Sequence, residues 1–118
     1  MKTSKLISAQ LDWAVAKCEE LLNQPDVRIG YDDISFTFQE KRVYWRPSEN
    51  WAQGGPIIES ERLCLDIGHD GVWLAANKQN YDDVPNFMNS GPTPLIAAMR
   101  CYVASKLGDE VELPEELK

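Results

Sequence analysis

The sequence has a single histidine, His69, and its three cysteines, Cys18, Cys64 and Cys101, stand far apart with no CxxC pair. One histidine cannot build a histidine-based metal cluster. An odd, scattered set of thiols argues against a zinc knuckle and a disulfide framework. Each cysteine lies among apolar neighbours and is expected to be a small buried hydrophobe, as suits a reducing compartment. No apolar run approaches the ~20 residues that cross a bilayer. Met1–Ile7 carries basic residues, but Ser8, Gln10 and Asp12 interrupt any signal-peptide core, so a cytoplasmic location is expected. Positive charge is also scarce: 12 Lys and Arg against 19 Asp and Glu leave a net charge of −7. That is the wrong sign for a domain that clings to phosphates, so neither nucleic acid nor membrane is an expected partner. No Gly-Lys-Ser/Thr loop and no Gly-x-Gly-x-x-Gly follows a strand, and no cofactor or metal is expected.

What is present is a core-forming composition. With 118 residues, 43% apolar and 26% charged, the chain suits one domain over 1–118. Residues 109–118 form an acidic C-terminal tail, where Asp109, Glu110, Glu112, Glu115 and Glu116 crowd together. Such a run reads as a solvated tail rather than a nucleic-acid mimic, whose acid would spread over a face.

The first element predicted is a helix capped by Ser8, with Leu11, Ala14, Val15, Cys18, Leu21 and Leu22 on its buried face and Pro25 as its stop. Trp13 falls at the edge of that stripe. Ile34, Phe36 and Phe38 alternate with Ser35 and Thr37 as in a half-buried strand, and Arg42–Arg46 returns before Pro47. Residues 47–56 are rich in breakers and read as an irregular loop. Leu63–Ile67 and Val72–Ala76 flank Gly68-His69-Asp70-Gly71 as a hairpin. Asn77 to Gly91, with Pro85, reads as a second loop. Thr93 then caps a helix with Pro94 in its first position, an apolar face from Leu95 to Leu107, and Gly108 as its terminator. Val111-Glu112-Leu113-Pro114 follows as an extended tail lying on the domain. The order α-β-β-β-β-α predicts an α+β fold, with an antiparallel sheet of about four strands and both helices packed on it.

Three segments together carry a resemblance: Leu11 to Ala16 (LDWAVA), Trp51 to Glu59 (WAQGGPIIE) and Gly91 to Gly108 (GPTPLIAAMRCYVASKLG). In order and wording this resembles the NinX-like family of lambdoid bacteriophages and their prophages, a group of small accessory proteins. The resemblance implies phage or prophage origin, expression in the bacterial host cytoplasm, and an α-β-α sandwich-like fold. It carries no enzymatic assignment.

The best functional candidate is the stretch from Trp45 to Glu59, with Trp45, Arg46, Asn50, Trp51, Gln53, Gly54 and Gly55. Aromatic faces can hold a planar ligand, amides and Arg can read its edges, and paired glycines let backbone N–H groups come close. The competing reading gives the glycines a tight turn and the tryptophans a place in the core. His69 sits at a hairpin tip, and Cys64 lies too far along its strand to pair with it as a nucleophile. Asp32-Asp33 and Asp82-Asp83 fall short of a calcium loop. Trp13, Trp73, Tyr102 and Phe87 are expected to be exposed and to leave room for a protein interface, and a homodimer would bury what one small core cannot.

The function expected is that of a phage accessory protein that binds a host or phage protein rather than catalysing a reaction. The second reading is a nucleotide-like small-ligand binder using residues 45–59. An enzyme ranks last, for want of a nucleophile, base and metal that converge.

Overall fold

The computed structural model describes residues 1–77 and 87–118, with the Phe87 side chain set aside. The elements are α1 (Ser8–Cys18), β1 (Arg28–Ile29), β2 (Ile34–Phe38), β3 (Lys41–Trp45), α2 (Trp51–Glu61), β4 (Leu63–Ile67), β5 (Trp73–Asn77), β6 (Phe87–Gly91) and α3 (Pro94–Leu107). The α+β class stands. The single four-stranded sheet does not: β1-β2-β3 and β4-β5-β6 are separate antiparallel sheets of three strands each. Strand alternation reveals which residues share a face but not which strands pair, and α2 falls between the two sheets.

α1 starts on Ile7 in an extended conformation, without a side-chain cap, and Ser8 is its first residue with φ of 48°. Ser8 is therefore not the cap. The helix also ends earlier than its apolar stripe. Glu20 enters the left-handed region and Leu21–Asn23 forms a 3-10 turn, which swings Leu21 toward β2 and β3. Every residue from Leu11 to Ala16 is buried, including the acid Asp12 and Trp13, which the periodicity puts at the stripe's edge. Two connections cover those sides. Gln10 Nε2 donates to the Leu117 carbonyl at 3.1 Å, and Ser48 N–H donates to Asp12 Oδ1 at 2.9 Å.

In the small sheet, Phe38 pairs with Lys41 across Gln39–Glu40, both at positive φ (50° and 64°), the geometry of a two-residue primed hairpin turn. The predicted β4–β5 hairpin is present, closed by Gly68 N–H to the Val72 carbonyl at 2.7 Å. β6 adds a third strand where a loop is expected. Pro85 and Asp82-Asp83 lie outside the described residues.

The 47–56 stretch is not an irregular loop. Asn50 Oδ1 accepts from Ala52 N–H at 2.8 Å and starts α2, which runs through Gly54-Gly55-Pro56 to Glu61. The breakers are tolerated because packing decides. A Cβ on Gly54 would lie 2.5 Å from the Pro47 carbonyl oxygen and 2.7 Å from Leu95 Cδ2, so only glycine lets α2 come this close.

α3 follows its local signals. Thr93 Oγ1 accepts from Ile96 N–H at 3.1 Å, Pro94 occupies the first turn, and Gly108 ends the helix at φ of 86°. Residues 95 and 97–104 are all buried. Among them Arg100 donates from Nε to the Leu6 carbonyl and from Nη1 to the Ser90 carbonyl, both at 2.9 Å, tying β6 to the N-terminal segment. The acidic tail lies on the body as an extended segment before a final 3-10 turn. Val111 and Met1 exchange backbone hydrogen bonds, both at 2.9 Å, and Thr3 N–H donates to the Asp109 carbonyl at 2.8 Å. Val111, Leu113 and Leu117 are buried while the five acids stay exposed. No helix among the described residues is long and apolar enough to cross a membrane.

Two further expectations are corrected. Cys101 is buried, but Cys18 is half-buried and Cys64 is exposed on the outer face of edge strand β4. Burial pushes the Cys18 thiol up to about 12 and the Cys101 thiol up to about 11, so neither is a thiolate at neutral pH. Trp13 and Tyr102 are buried in the core and offer no interface, and Trp73 is half-buried against it. Helices covered on several sides leave no wet face for such rings.

Candidate functional site

The stretch singled out by sequence divides between two jobs. Arg46, Asn50, Gln53 and Gly54 hold the junction between β3 and α2. The Gln53 amide donates to the Tyr44 carbonyl at 2.9 Å and accepts from Arg46 N–H at 2.6 Å. Those are the groups a further strand would pair with, so one side chain caps the end of the β3 edge. Arg46 reaches Asp33 at 3.7 Å and lies 5.7 Å from the Tyr44 ring centre. Gly55 has open space where a Cβ would be.

The two tryptophans part company. Trp51 is 53% exposed at the start of α2, and it does not line the cleft that Trp45 lines. Trp45 tilts against Phe36, with ring centres 6.4 Å apart, and the two form part of an open cleft of about 340 Å³. Leu21, Phe38 and Val43 complete its apolar wall, with Glu19 and Gln24 as its polar members. Trp45 Nε1 is buried with no acceptor among the described residues, a deficit of about 1–3 kcal/mol for a lost partner.

A second, polar pocket of about 310 Å³ lies beside the N-terminal end of α1, lined by Ser8, Ala9, Asp12, Asp32, Arg46 and Glu49. Asp12 is its most enclosed charged member, at 3% exposed. Burial pushes its carboxyl up to about 6, Glu49 adds to the rise, and Ser48 and Arg46 oppose it. The Ser48 hydroxyl faces the same carboxylate without reaching full hydrogen-bonding geometry. His69 and Asp70 are exposed at the β4–β5 turn and line neither pocket. No three His, Cys, Asp or Glu side chains among the described residues are arranged to hold a metal ion.

The family model described as "Bacteriophage P22, NinX" matches residues 2–106. The chain belongs to the phage NinX family. No curated protein sequence matches it significantly. The match takes in every lining residue of the apolar cleft and of the polar pocket.

Two groups of functional candidates in the NinX chain escaped sequence reasoning. Phe36, Phe38 and Val43 read as strand residues with one face in a core, and alternation cannot tell a core from a cleft. Asp12 entered only as a polar interruption of the N-terminal segment. Its signal was its place inside the Leu11–Ala16 run, where every neighbour is apolar.

Proposed function

We propose that this phage accessory protein acts by binding, and that its partner is a protein that inserts one large apolar side chain, flanked by a basic residue, into the Phe36–Trp45 cleft. The observation that carries the reading is the lining itself: four aromatic or aliphatic walls on β2 and β3, Leu21 opposite, and Glu19 as the only charged member. At about 340 Å³ the cleft sits at the small end of ligand sites, a size for one side chain rather than a dinucleotide. A nucleotide phosphate would meet a carboxylate there and no cation, whereas a lysine or arginine beside the apolar anchor would meet its complement. Aromatic-walled pockets that receive a single anchor are where protein interfaces concentrate their affinity. The small-ligand reading for residues 45–59 has less support, because Trp45 and Trp51 do not wall the same pocket.

A peptide-display selection against the whole protein tests this. The expected result is enrichment of peptides with a large apolar residue next to Lys or Arg. Their binding should drop about tenfold or more in Val43→Glu and Phe38→Glu, as hot-spot losses do, and persist in Tyr31→Ser, which lies outside the cleft. Peptides without that pattern, or binding indifferent to both cleft variants, would overturn the proposal.

A further inference from the structure

β3 is an edge of its sheet: β2 is its strand partner, and no other described strand runs beside it. The phase of the ladder decides which of its backbone groups turn outward. The two-residue turn Gln39–Glu40 closes on Phe38 and Lys41 as a hydrogen-bonded pair, so Lys41, Val43 and Trp45 direct their N–H and C=O groups to β2. Arg42, Tyr44 and Arg46 turn theirs away from the sheet. Two further bonds fit that phase. Thr37, opposite Arg42, donates its N–H to the Pro25 carbonyl at 2.9 Å on the far side of β2. At the end of β3, Gln53 takes the Tyr44 carbonyl and the Arg46 N–H, the two contacts that one residue of a parallel strand would make. Upstream of Gln53, the Arg42 N–H and C=O and the Tyr44 N–H have no partner among the described residues.

We infer that the partner docks on this edge as an extended strand, pairing with Arg42 and Tyr44 and laying its apolar anchor into the cleft beside Val43, which rests on the cleft as the anchor's place. The cleft is open from that side. Its opposite wall holds Leu21 and Gln24, and the chain there is bound to β2 through Pro25 and Thr37, on the side away from β3. Val43 and Trp45 reach the cleft from the edge strand itself, both half-buried. Side chains alternate along a strand, so one added to β3 sends every second side chain to the cleft face and the others beside Arg42 and Tyr44. The Lys or Arg that meets Glu19 is then the anchor's neighbour on the same face, two places along. A lone small molecule could fill the cleft but would leave the outward backbone groups unused. An extended segment engages both, with affinity from the main chain and choice from the pocket. A second copy of this chain is the poorer occupant: two chains of net charge −7 repel, and the apolar side chains of β3 already line their own cleft.

The test uses the whole protein and the hexapeptide acetyl-Thr-Lys-Thr-Phe-Thr-Thr-amide, whose Lys stands two places from the Phe. Amide hydrogen exchange is followed residue by residue. In the free protein the Arg42 and Tyr44 N–H groups should exchange as open amides. Saturation with the peptide should slow both about tenfold or more, while Val43, already bonded to β2, changes little. Two singly N-methylated peptides, one modified at the Phe and one at the Thr after it, probe the pairing from the other side. Only one of those two N–H groups can point at β3, so one methylation should weaken binding about tenfold or more and the other less than about twofold. Loss at the Phe assigns a parallel strand, and loss at the Thr an antiparallel one. Equal effects of the two methylations, or no binding at millimolar concentration, would overturn the inference. Unchanged exchange at Arg42 and Tyr44 in a complex that Val43→Glu still abolishes would overturn the strand and leave the cleft standing. Slowed exchange that survives both Val43→Glu and Phe38→Glu would instead overturn the cleft as the anchor's place.

Discussion

The two three-stranded sheets use similar apolar strands to opposite ends. β4-β5-β6 is backed by α3, whose residues 95 and 97–104 are all buried, and Leu63 and Ala75 join the central core. β1-β2-β3 gives that core only Ile34 in full, with Ile29 and Trp45 at its edge. Phe36, Phe38, Val43 and Trp45 line an open cleft instead. The difference is whether a helix lies on the sheet. α1 ends at Cys18, and the 3-10 turn Leu21–Asn23 that follows Glu20 brings only Leu21 to the cleft on β2 and β3. Along that cleft Phe38 is half exposed and Val43 and Trp45 half-buried, while Phe36 is buried.

Substitutions that separate the two sheets should differ most in unfolding free energy. Met99→Ala, at a fully buried position of α3, should cost about 2–5 kcal/mol in urea unfolding, as large-to-small changes in tight cores do. Phe38→Ala on the cleft should cost no more than about 1 kcal/mol, given its half exposure. Equal losses would mean that the small sheet is as fully committed to the core as the other.

The joint between the sheets supplies the next test. The Asp12 carboxyl titrates at about 6 in the folded protein against an ordinary 3.8, so the folded state holds its proton more tightly than the unfolded chain. Its contribution favours folding fully below the unfolded value, and is lost as pH rises from there through about 6. Above that, a penalty on the order of 2–3 kcal/mol is present. Asp12→Asn should accordingly raise stability at pH 8 by about 1–3 kcal/mol while keeping the oxygen that accepts Ser48 N–H. That gain should shrink as pH falls toward 4. A destabilised variant at pH 8 would show that the charge itself is needed at the joint.

The glycine pair gives a comparison within one helix. Gly54→Ala should destabilise by about 1–3 kcal/mol through its clash with the Pro47 carbonyl and Leu95. Gly55→Ala, one residue on with open space, should stabilise α2 by about 0.5–1 kcal/mol. Thermal melts of the two variants moving in opposite directions would sharpen the picture of α2 as a helix held by close approach rather than by propensity.

These contrasts explain what could be read from sequence. α3 was legible because Thr93, Pro94 and Gly108 are local signals that act within a turn of where they stand. The β4–β5 hairpin was legible because only the five residues Gly68–Val72 separate its two strands. α2 was not, since Gly54-Gly55-Pro56 opposes helix locally and the compensating contacts, to Pro47 and Leu95, are tertiary. The split into two sheets depends on pairings that alternation leaves undefined. At the candidate sites, Gln53, Asn50 and Arg46 were singled out, yet their geometry is that of a junction. Asp12 was passed over because a lone acid on a helix ordinarily points to water, and only the connection carrying Ser48 encloses it.

The tail has a consequence for how the protein is made. Val111, Leu113 and Leu117 belong to the same core as Leu6, Leu11 and Val15, and Met1 and Thr3 bond directly to residues 109–111. A ribosome adding about 5–20 residues per second releases the N-terminal helix well before that tail exists outside the exit tunnel. During those seconds Leu6 and α1 wait with their partners still unsynthesised. The native core therefore closes only after residues 109–117 have emerged, and a ribosome stalled within that stretch would display an unfinished, sticky α1 to the host's chaperones.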